Sequence, residues 1–194
     1  VLMGMRQPTS GRIELEGTDI SGWDVRHIRE AGVGYIPEDR HRQGLLLDAP
    51  LWENRMLGHQ TERPASSRGV LTGAASREDT ERIVEEYDVR TPSIHVTVGS
   101  LSGGNQQKLI VGREMSAAPR LLIAAHPTRD LIAFGAADGA VQIARAGRSE
   151  EMALRQPDGH AVTALGWSRD GLHLGIGTAD GQAALVTLPP QLFK

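Results

Sequence analysis

The residues best suited to bind a ligand form a run of mostly small and polar side chains at positions 101–108, LSGGNQQK. Two adjacent glycines let backbone N–H groups approach an anion closely, and Ser102 can cap a helix or donate its hydroxyl. The dipole of a helix favours negative charge at its N-terminus. Residues 109, 111, 112 and 115 (Leu, Val, Gly and Met) continue a partly apolar face of a helix that stops at Pro119. The run therefore predicts a helix that begins against a phosphate, and the alternative is a plain helix cap with no ligand.

Other segments have the patterns of elements that would position this helix. Residues 8–17 (PTSGRIELEG) predict a turn, an alternating strand and a second turn. Residues 51–58 predict a short helix, residues 61–77 an exposed polar loop and residues 77–87 a helix with one charged face. Residues 120–129 (RLLIAAHPTR) contain the continuous apolar run of a buried parallel strand.

Together these segments resemble the ATP-binding-cassette (ABC) family of transport ATPases. LSGGNQQK resembles the signature motif in the form typical of sugar and nucleoside importers, and residues 120–129 lie where the Walker B strand belongs. Residues 31–40 (AGVGYIPEDR) resemble the strand and Q-loop of the second cassette of a tandem importer subunit. Over residues 1–129 the resemblance implies a partial P-loop α/β cassette with a helical subdomain that touches membrane subunits.

The resemblance also implies how nucleotide is bound. In this family each ATP lies between the phosphate loop of one cassette and the signature helix of the other. ATP would therefore be shared with a partner cassette, and Mg²⁺ would be held only through that partner. Glu38 occupies the position where most cassettes carry the glutamine that senses the metal and the γ-phosphate; otherwise it is a solvated acid in a loop. The residues implied to bind γ-phosphate in trans are Ser102, Gly103, Gly104, Asn105 and Gln106.

The sequence departs from the family at the catalytic positions. It contains no G-x-x-x-x-G-K-[ST] phosphate loop. Where an active cassette ends its Walker B strand in Asp and then Glu, this chain has Ala125 and His126. Ala125 resembles the degenerate second cassettes of one nucleoside-importer subgroup, whereas His126 departs even from those. We therefore expect no catalytic residue, no metal ligand and no ATP hydrolysis by the chain alone.

An internal repeat replaces the cassette pattern after the Walker B position. Ala-Asp-Gly at residues 137–139 recurs at residues 179–181, an offset of 42. Each copy predicts a hairpin with a type I′ turn, which needs positive φ at both Asp and Gly. Together with Gly-His at residues 159–160 and the S-x-D-G turn at residues 168–171, the pattern resembles WD-repeat β-propeller blades. In the same register, a blade turn explains His126 better than a Walker B strand does.

The chain therefore divides into a partial ABC nucleotide-binding domain of α/β fold at residues 1–129 and all-β, WD-repeat-like antiparallel hairpins at residues 130–194. We interpret the join, between Ala125 and Arg129, as the meeting of two unrelated fragments, and expect the hairpins to be separate from the α/β part. The rival interpretation is a cassette whose remaining core diverged into β structure. The predicted function is that of a fragment of the ATP-binding subunit of a sugar or nucleoside importer. The alternatives are a β-propeller interaction module and a non-functional chimeric or truncated product.

Composition argues against several other functions. A net charge of −3 gives no argument for nucleic-acid binding. The absence of cysteine excludes disulfides and thiolate metal sites, and the seven histidines have no i, i+4 pair. No run approaches the roughly 20 apolar residues of a membrane span, and residues 1–5 do not resemble a signal peptide. We expect a cytoplasmic location, at the inner face of the plasma membrane when the chain is assembled with a second cassette and transmembrane permease subunits.

Overall fold

The computed structural model describes residues 3–145, 150–189 and 191 of the 194-residue chain. Its helices are α1 (Val25–Glu30), α2 (Leu51–Met56), α3 (Gly73–Glu86) and α4 (Gly103–Met115). Its strands are β1 (Glu14–Leu15), β2 (Thr18–Asp19), β3 (Val33–Ile36), β4 (Ser66–Ser67), β5 (Val70–Leu71), β6 (Leu121–Ala125), β7 (Leu131–Ala136), β8 (Val141–Arg145), β9 (Glu151–Arg155), β10 (Val162–Trp167), β11 (His173–Thr178) and β12 (Ala183–Thr187). Short π-helical and 3-10 segments span Arg40–Gly44 and Val98–Ser100.

One five-stranded sheet, in the order β3-β6-β7-β8-β9, runs through both halves of the chain. The apolar strands β3 and β6 pair in parallel, with Val33 opposite Leu121, as expected of the buried strands of an α/β cassette. The remaining pairs are antiparallel hairpins. A tight connection after β6 reverses the chain, and its closing bond runs from the N–H of His126 to the carbonyl of Leu131 over 2.9 Å.

A second sheet, in the order β10-β11-β12, packs on this one. Alternation places Leu165 and Leu174 on the inner face, where both are almost fully buried. They share a single apolar core with Leu122 of β6 and with Ala133 and Ile143 of the neighbouring strands. The C-terminal hairpins therefore complete the core that the α/β strands begin.

This shared core corrects the expectation that the hairpins are separate from the α/β part. The predicted strands at residues 131–136 and 140–144 do form the hairpin β7-β8, but β7 pairs along the whole of β6. The physical reason is that β6 has a free edge of unpaired backbone groups, which the following strand satisfies. Strands β6 and β7 are antiparallel. A parallel β7 would have favoured the rival interpretation, in which the core of the cassette diverged into β structure.

Both Ala-Asp-Gly segments form hairpin turns, but the turns are not of type I′. The N–H of Ala136 donates to the carbonyl of Ala140 over 2.9 Å, and the N–H of Gly139 donates to the carbonyl of Ala136 over 3.1 Å. Equivalent bonds recur at residues 178–182. In each loop the glycine has positive φ, +95° at Gly139 and +84° at Gly181, and the aspartate does not. The loops thus have three residues each, with the turn followed by a left-handed glycine that matches the strand twist.

Helices α2, α3 and α4 enclose a separate apolar core that includes Leu51, Val98 and Leu109. The helix predicted at residues 51–58 is α2. The helix predicted at residues 77–87 is α3, which begins four residues earlier because Ala74 and Ala75 favour helix. The stretch predicted as a loop therefore contains the start of α3, and it also holds the short β4-β5 pair.

Candidate functional site

The N-terminus of α4 is open to solvent. Ser102 is the N-cap residue, and its hydroxyl accepts hydrogen bonds from the N–H and side-chain amide of Asn105 at 3.5 and 3.2 Å. Gly103 and Gly104 are exposed in the first turn, where N–H groups have no acceptor within the helix. A side chain at Gly104 would meet no atom within 4 Å. The space beside Gly104 is therefore open to an anion from another molecule, whereas Arg40 lies beside Gly103.

Asn105 and Gln106 are both engaged within the protein. The side-chain carbonyl of Asn105 accepts the N–H of Arg90 over 3.0 Å. Gln106 is 5% exposed, and its Nε2 donates to the carbonyls of Val98 and Leu101 at 3.2 Å each. The structure therefore places Gln106 behind the exposed turn, whereas the signature resemblance implies a direct γ-phosphate contact for it.

The remaining amide oxygen of Gln106 joins the signature helix to the segment after the Q-loop. It accepts hydrogen bonds from Nε of Arg40 over 3.2 Å and from Nε2 of His41 over 2.9 Å. Arg40 and His41 begin the Arg40–Gly44 segment, which the side chain of Asp39 caps. The contact between these two motifs is not visible in the sequence, because 65 residues separate His41 from Gln106.

Glu38 lies exposed in the loop after β3, at the rim of a cleft of about 540 Å³. The cleft brings together the carboxyl ends of the parallel strands β3 and β6, so that Glu38 and Ala125 line the same cavity. Residues 166–169, which comprise the end of β10 and the start of the turn after it, also line the cleft. The structure therefore joins the Q-loop position to the Walker B position, and it adds a wall from the WD-like hairpins.

His126 is buried beside this cleft and is held by backbone groups. Its Nδ1 accepts the N–H groups of Thr128 and Arg129 at 3.1 Å each, so Nε2 carries the proton and donates it to the carbonyl of Gly171 over 3.0 Å. The ring also packs edge-on against Trp167. Burial lowers the pKa of His126, because it disfavours the charged ring. This arrangement agrees with the hypothesis that a blade turn explains His126.

A buried ion-pair network fixes α4 against β3. Glu114 is 1% exposed and pairs with Arg29 of α1 over 2.8 Å and with Arg113 over 2.9 Å. It also accepts the N–H of Tyr35 in β3 over 3.1 Å. Burial alone would raise the pKa of Glu114, but the two guanidinium groups and this N–H together hold that pKa below its usual value.

Sequence reasoning missed this network because it predicted the buried face of α4 from small and apolar residues alone. Of the residues predicted, Leu109 and Gly112 are buried and Val111 and Met115 pack against the main core. The buried residues that were not predicted are Gln106, Ile110, Arg113 and Glu114. Their spacing of three and four residues is the signal that could have found them. A search for apolar residues does not detect this spacing, because three of the four side chains are polar.

Two kinds of feature are absent from the part of the chain that the structure describes. Across residues 3–145 and 150–189 no group of three or more His, Asp or Glu side chains could hold a metal ion. No helix among the described residues is long and apolar enough to cross a membrane.

Comparison with known proteins gives two family matches. The family model for ABC transporters matches residues 1–129. The family model for the WD40 domain of anaphase-promoting complex subunit 4 matches residues 124–189. The two matches overlap by six residues, from Ala124 to Arg129.

Curated relatives match about two thirds of the chain. The guanosine import ATP-binding protein NupO of Bacillus subtilis is 47% identical over 128 residues, which is 66% of this chain and 25% of that protein. The nucleoside import ATP-binding protein NupA of Lactococcus lactis is 42% identical over 130 residues, 67% of this chain and 26% of that protein. This chain thus spans about a quarter of the length of the curated relatives it matches.

Solved structures align with this chain at lower identity. An ATP-binding cassette in a dimeric post-hydrolysis state with ADP and Pi aligns with a TM-score of 0.48 and 19% identity, over 64% of this chain and 52% of that one. The cassette of an ABC transporter in an ADP conformation aligns with a TM-score of 0.47 and 20% identity, over 66% and 51%.

Proposed function

Since this chain belongs to the ABC transporter family through residues 1–129, we propose that it contributes its signature helix to ATP held by the phosphate loop of a partner cassette. The transporter would be an importer for nucleosides or sugars. The nucleoside importers among its relatives support this substrate class, as do the ribose importers at 35–37% identity.

The observation that carries this proposal is the open N-terminus of α4. Ser102, Gly103 and Gly104 are exposed, and no part of the described chain fills the space beside Gly104. We assign the direct γ-phosphate contacts to these three residues, through the two glycine N–H groups and the Ser102 hydroxyl. We assign no direct phosphate contact to Asn105 or Gln106, because their side chains are already bonded to the protein.

We assign hydrolysis to the partner's nucleotide site. The methyl group of Ala125 offers no ligand atom to a metal ion. Both ring nitrogens of His126 are bonded to backbone groups, one in its own turn and the other at Gly171. Mg²⁺ would therefore be bound through the partner, with Glu38 as the residue of this chain at the Q-loop position. Glu38 is exposed and lines the cleft where β3 and β6 end.

The assembly in this proposal contains permease subunits as well as a second cassette. The helical subdomain formed by α2 and α3 would contact the permease, as the family resemblance implies. We place the assembled subunit at the cytoplasmic face of the plasma membrane, because the relatives are import ATP-binding proteins.

Mixing this chain with a complete first cassette of the family tests the proposed function. Static light scattering should report a rise in mass when MgATP is added. Ser102→Arg should abolish the rise, because its bulk fills the space for the γ-phosphate. Ser10→Arg, in the exposed turn before β1, is the matched control and should behave as the wild type. No association at saturating ATP, or association that Ser102→Arg leaves unchanged, would refute the proposal.

A second proposal concerns the WD-like hairpins. We propose that the chain joins pieces of two families at residues 124–129, where both family models match. In this view β7 to β12 form an interaction module attached to the cassette fragment. The alternative is that the two pieces fold independently, and a chain that ends at residue 129 tests it. This shortened chain should lose cooperative unfolding, because Leu122 of β6 then has no β10 or β11 to pack against. Cooperative unfolding of the shortened chain would support two independent pieces.

A further inference from the structure

The guanidinium of Arg40 lies against the first turn of the signature helix. A Cβ on Gly103 would lie 2.8 Å from Nη2 of Arg40. Arg40 is partly buried and begins the Arg40–Gly44 segment that follows the Q-loop. A full positive charge thus stands beside the partial positive charge of the helix N-terminus, at the place where the γ-phosphate is proposed to bind.

Gln106 sets the direction of this guanidinium. Its Nε2 donates to the carbonyls of Val98 and Leu101, so its oxygen must face the Q-loop segment. That oxygen accepts a hydrogen bond from Nε of Arg40, and Nη2 of the same guanidinium lies beside Gly103. His41 donates to the same oxygen and adds a second bond that holds the amide.

We propose that Arg40 is a further phosphate-binding residue of the signature site and that Gln106 is its positioning residue. This inference rests on the proposed function, because the phosphate is the γ-phosphate of ATP carried by a partner cassette. The planar fork of arginine donates two N–H groups to a phosphate at once, which an ammonium does only as a point charge. The site then combines two glycine N–H groups, the Ser102 hydroxyl and one guanidinium.

Titration of MgATP into the mixture with a complete first cassette tests Arg40. The readout is the ATP concentration that gives half-maximal association in light scattering. Arg40→Gln should raise this concentration by about tenfold, the effect of losing a charge-assisted hydrogen bond. Arg40→Lys should give an intermediate value, because it keeps the charge and loses the fork. Arg42→Gln removes the same charge from an exposed position two residues away and should match the wild type.

A double-mutant cycle tests Gln106 as a positioning residue. Gln106→Leu alone should raise the half-maximal ATP concentration. In the Arg40→Gln background the same change should have no further effect, because Gln106 acts on the phosphate only through Arg40. Thermal unfolding of each variant checks that the fold is retained. A simple loss of structure would instead weaken association equally in both backgrounds.

The possible results separate this inference from the proposed function. If Ser102→Arg abolishes association while Arg40→Gln and Arg42→Gln behave alike, the inference about Arg40 is wrong and the proposed function stands. If Gln106→Leu weakens binding equally with and without Arg40, the positioning role of Gln106 is wrong. Absence of ATP-dependent association in the wild type overturns both the inference and the proposed function.

Discussion

The imidazole of His126 packs edge-on against the indole of Trp167, with ring centroids 4.7 Å apart and an interplanar angle of 60°. His126 follows the last strand of the cassette segment, and Trp167 ends the first strand of the second sheet. The indole Nε1 also donates to the carbonyl of Ala124 over 3.1 Å. These contacts therefore join the two sheets at residues 124–129, where the two family matches overlap.

Replacing His126 with alanine should lower the free energy of unfolding by about 3 kcal/mol, because it removes a buried ring and its three hydrogen bonds. The carbonyl of Gly171 would lose its donor in a buried turn. Urea unfolding at neutral pH measures the loss. His95→Ala, at an exposed position, is the control and should stay within about 0.5 kcal/mol of the wild type. Equal stability of the two variants would contradict the role of His126 in joining the two sheets.

Acidification should destabilise the protein through His126. Burial lowers its pKa in the folded state, so between that value and the ordinary value of about 6.5 the unfolded chain binds more protons. The stabilising contribution is complete above the ordinary pKa and is lost as pH falls through the lowered pKa. Burial lowers the pKa of His59 as well, so it adds to the same trend. Urea unfolding at several pH values gives the free energy of unfolding as a function of pH. This free energy should fall less steeply on acidification for His126→Ala than for the wild type, and an equally steep fall would contradict the contribution of His126.

Alanine at the two repeat glycines should have unequal effects. Gly181→Ala meets no atom within 4 Å and costs only the strain of positive φ, about 1 kcal/mol. Gly139→Ala carries the same strain, and its Cβ would also lie 2.8 Å from the carbonyl of His160. It should therefore lose roughly 2 kcal/mol more. Each variant is the control for the other in thermal unfolding, and equal losses would contradict the close approach at Gly139.

Glu114→Gln should destabilise the fold by about 3 to 5 kcal/mol, because it leaves the buried Arg113 and the partly buried Arg29 with no carboxylate partner. Glu86→Gln breaks the exposed pair with Arg82 and should cost less than about 1 kcal/mol. Chemical denaturation of both variants compares a buried pair with a surface pair on the same scale. A small effect at Glu114 would mean that the network does not hold α4 against β3.

The signature helix and the hairpins are predictable because their signals are local. Ser102 followed by two glycines marks a helix start within four residues, and Ala-Asp-Gly marks a turn within three. The strands 131–136 and 172–178 alternate clearly enough to be assigned within one residue of their observed starts. The type of turn was not predictable, because Asp-Gly is compatible with two-residue and three-residue loops and the closing hydrogen bonds decide between them.

The sequence by itself determined the family of residues 1–129, the helix that begins at Gly103, and the repeated hairpins, since each depends on residues close together in the chain. Only the tertiary structure decided that β6 pairs with β7 and that one core joins the two segments. It also decided that Gln106 faces inward to Arg40 and that Glu114 is buried. The physical reason is that buried polar groups must be hydrogen-bonded. The partners of the edge of β6, of Gln106 and of Glu114 come close only on folding, so the spacing of residues in the sequence does not identify them.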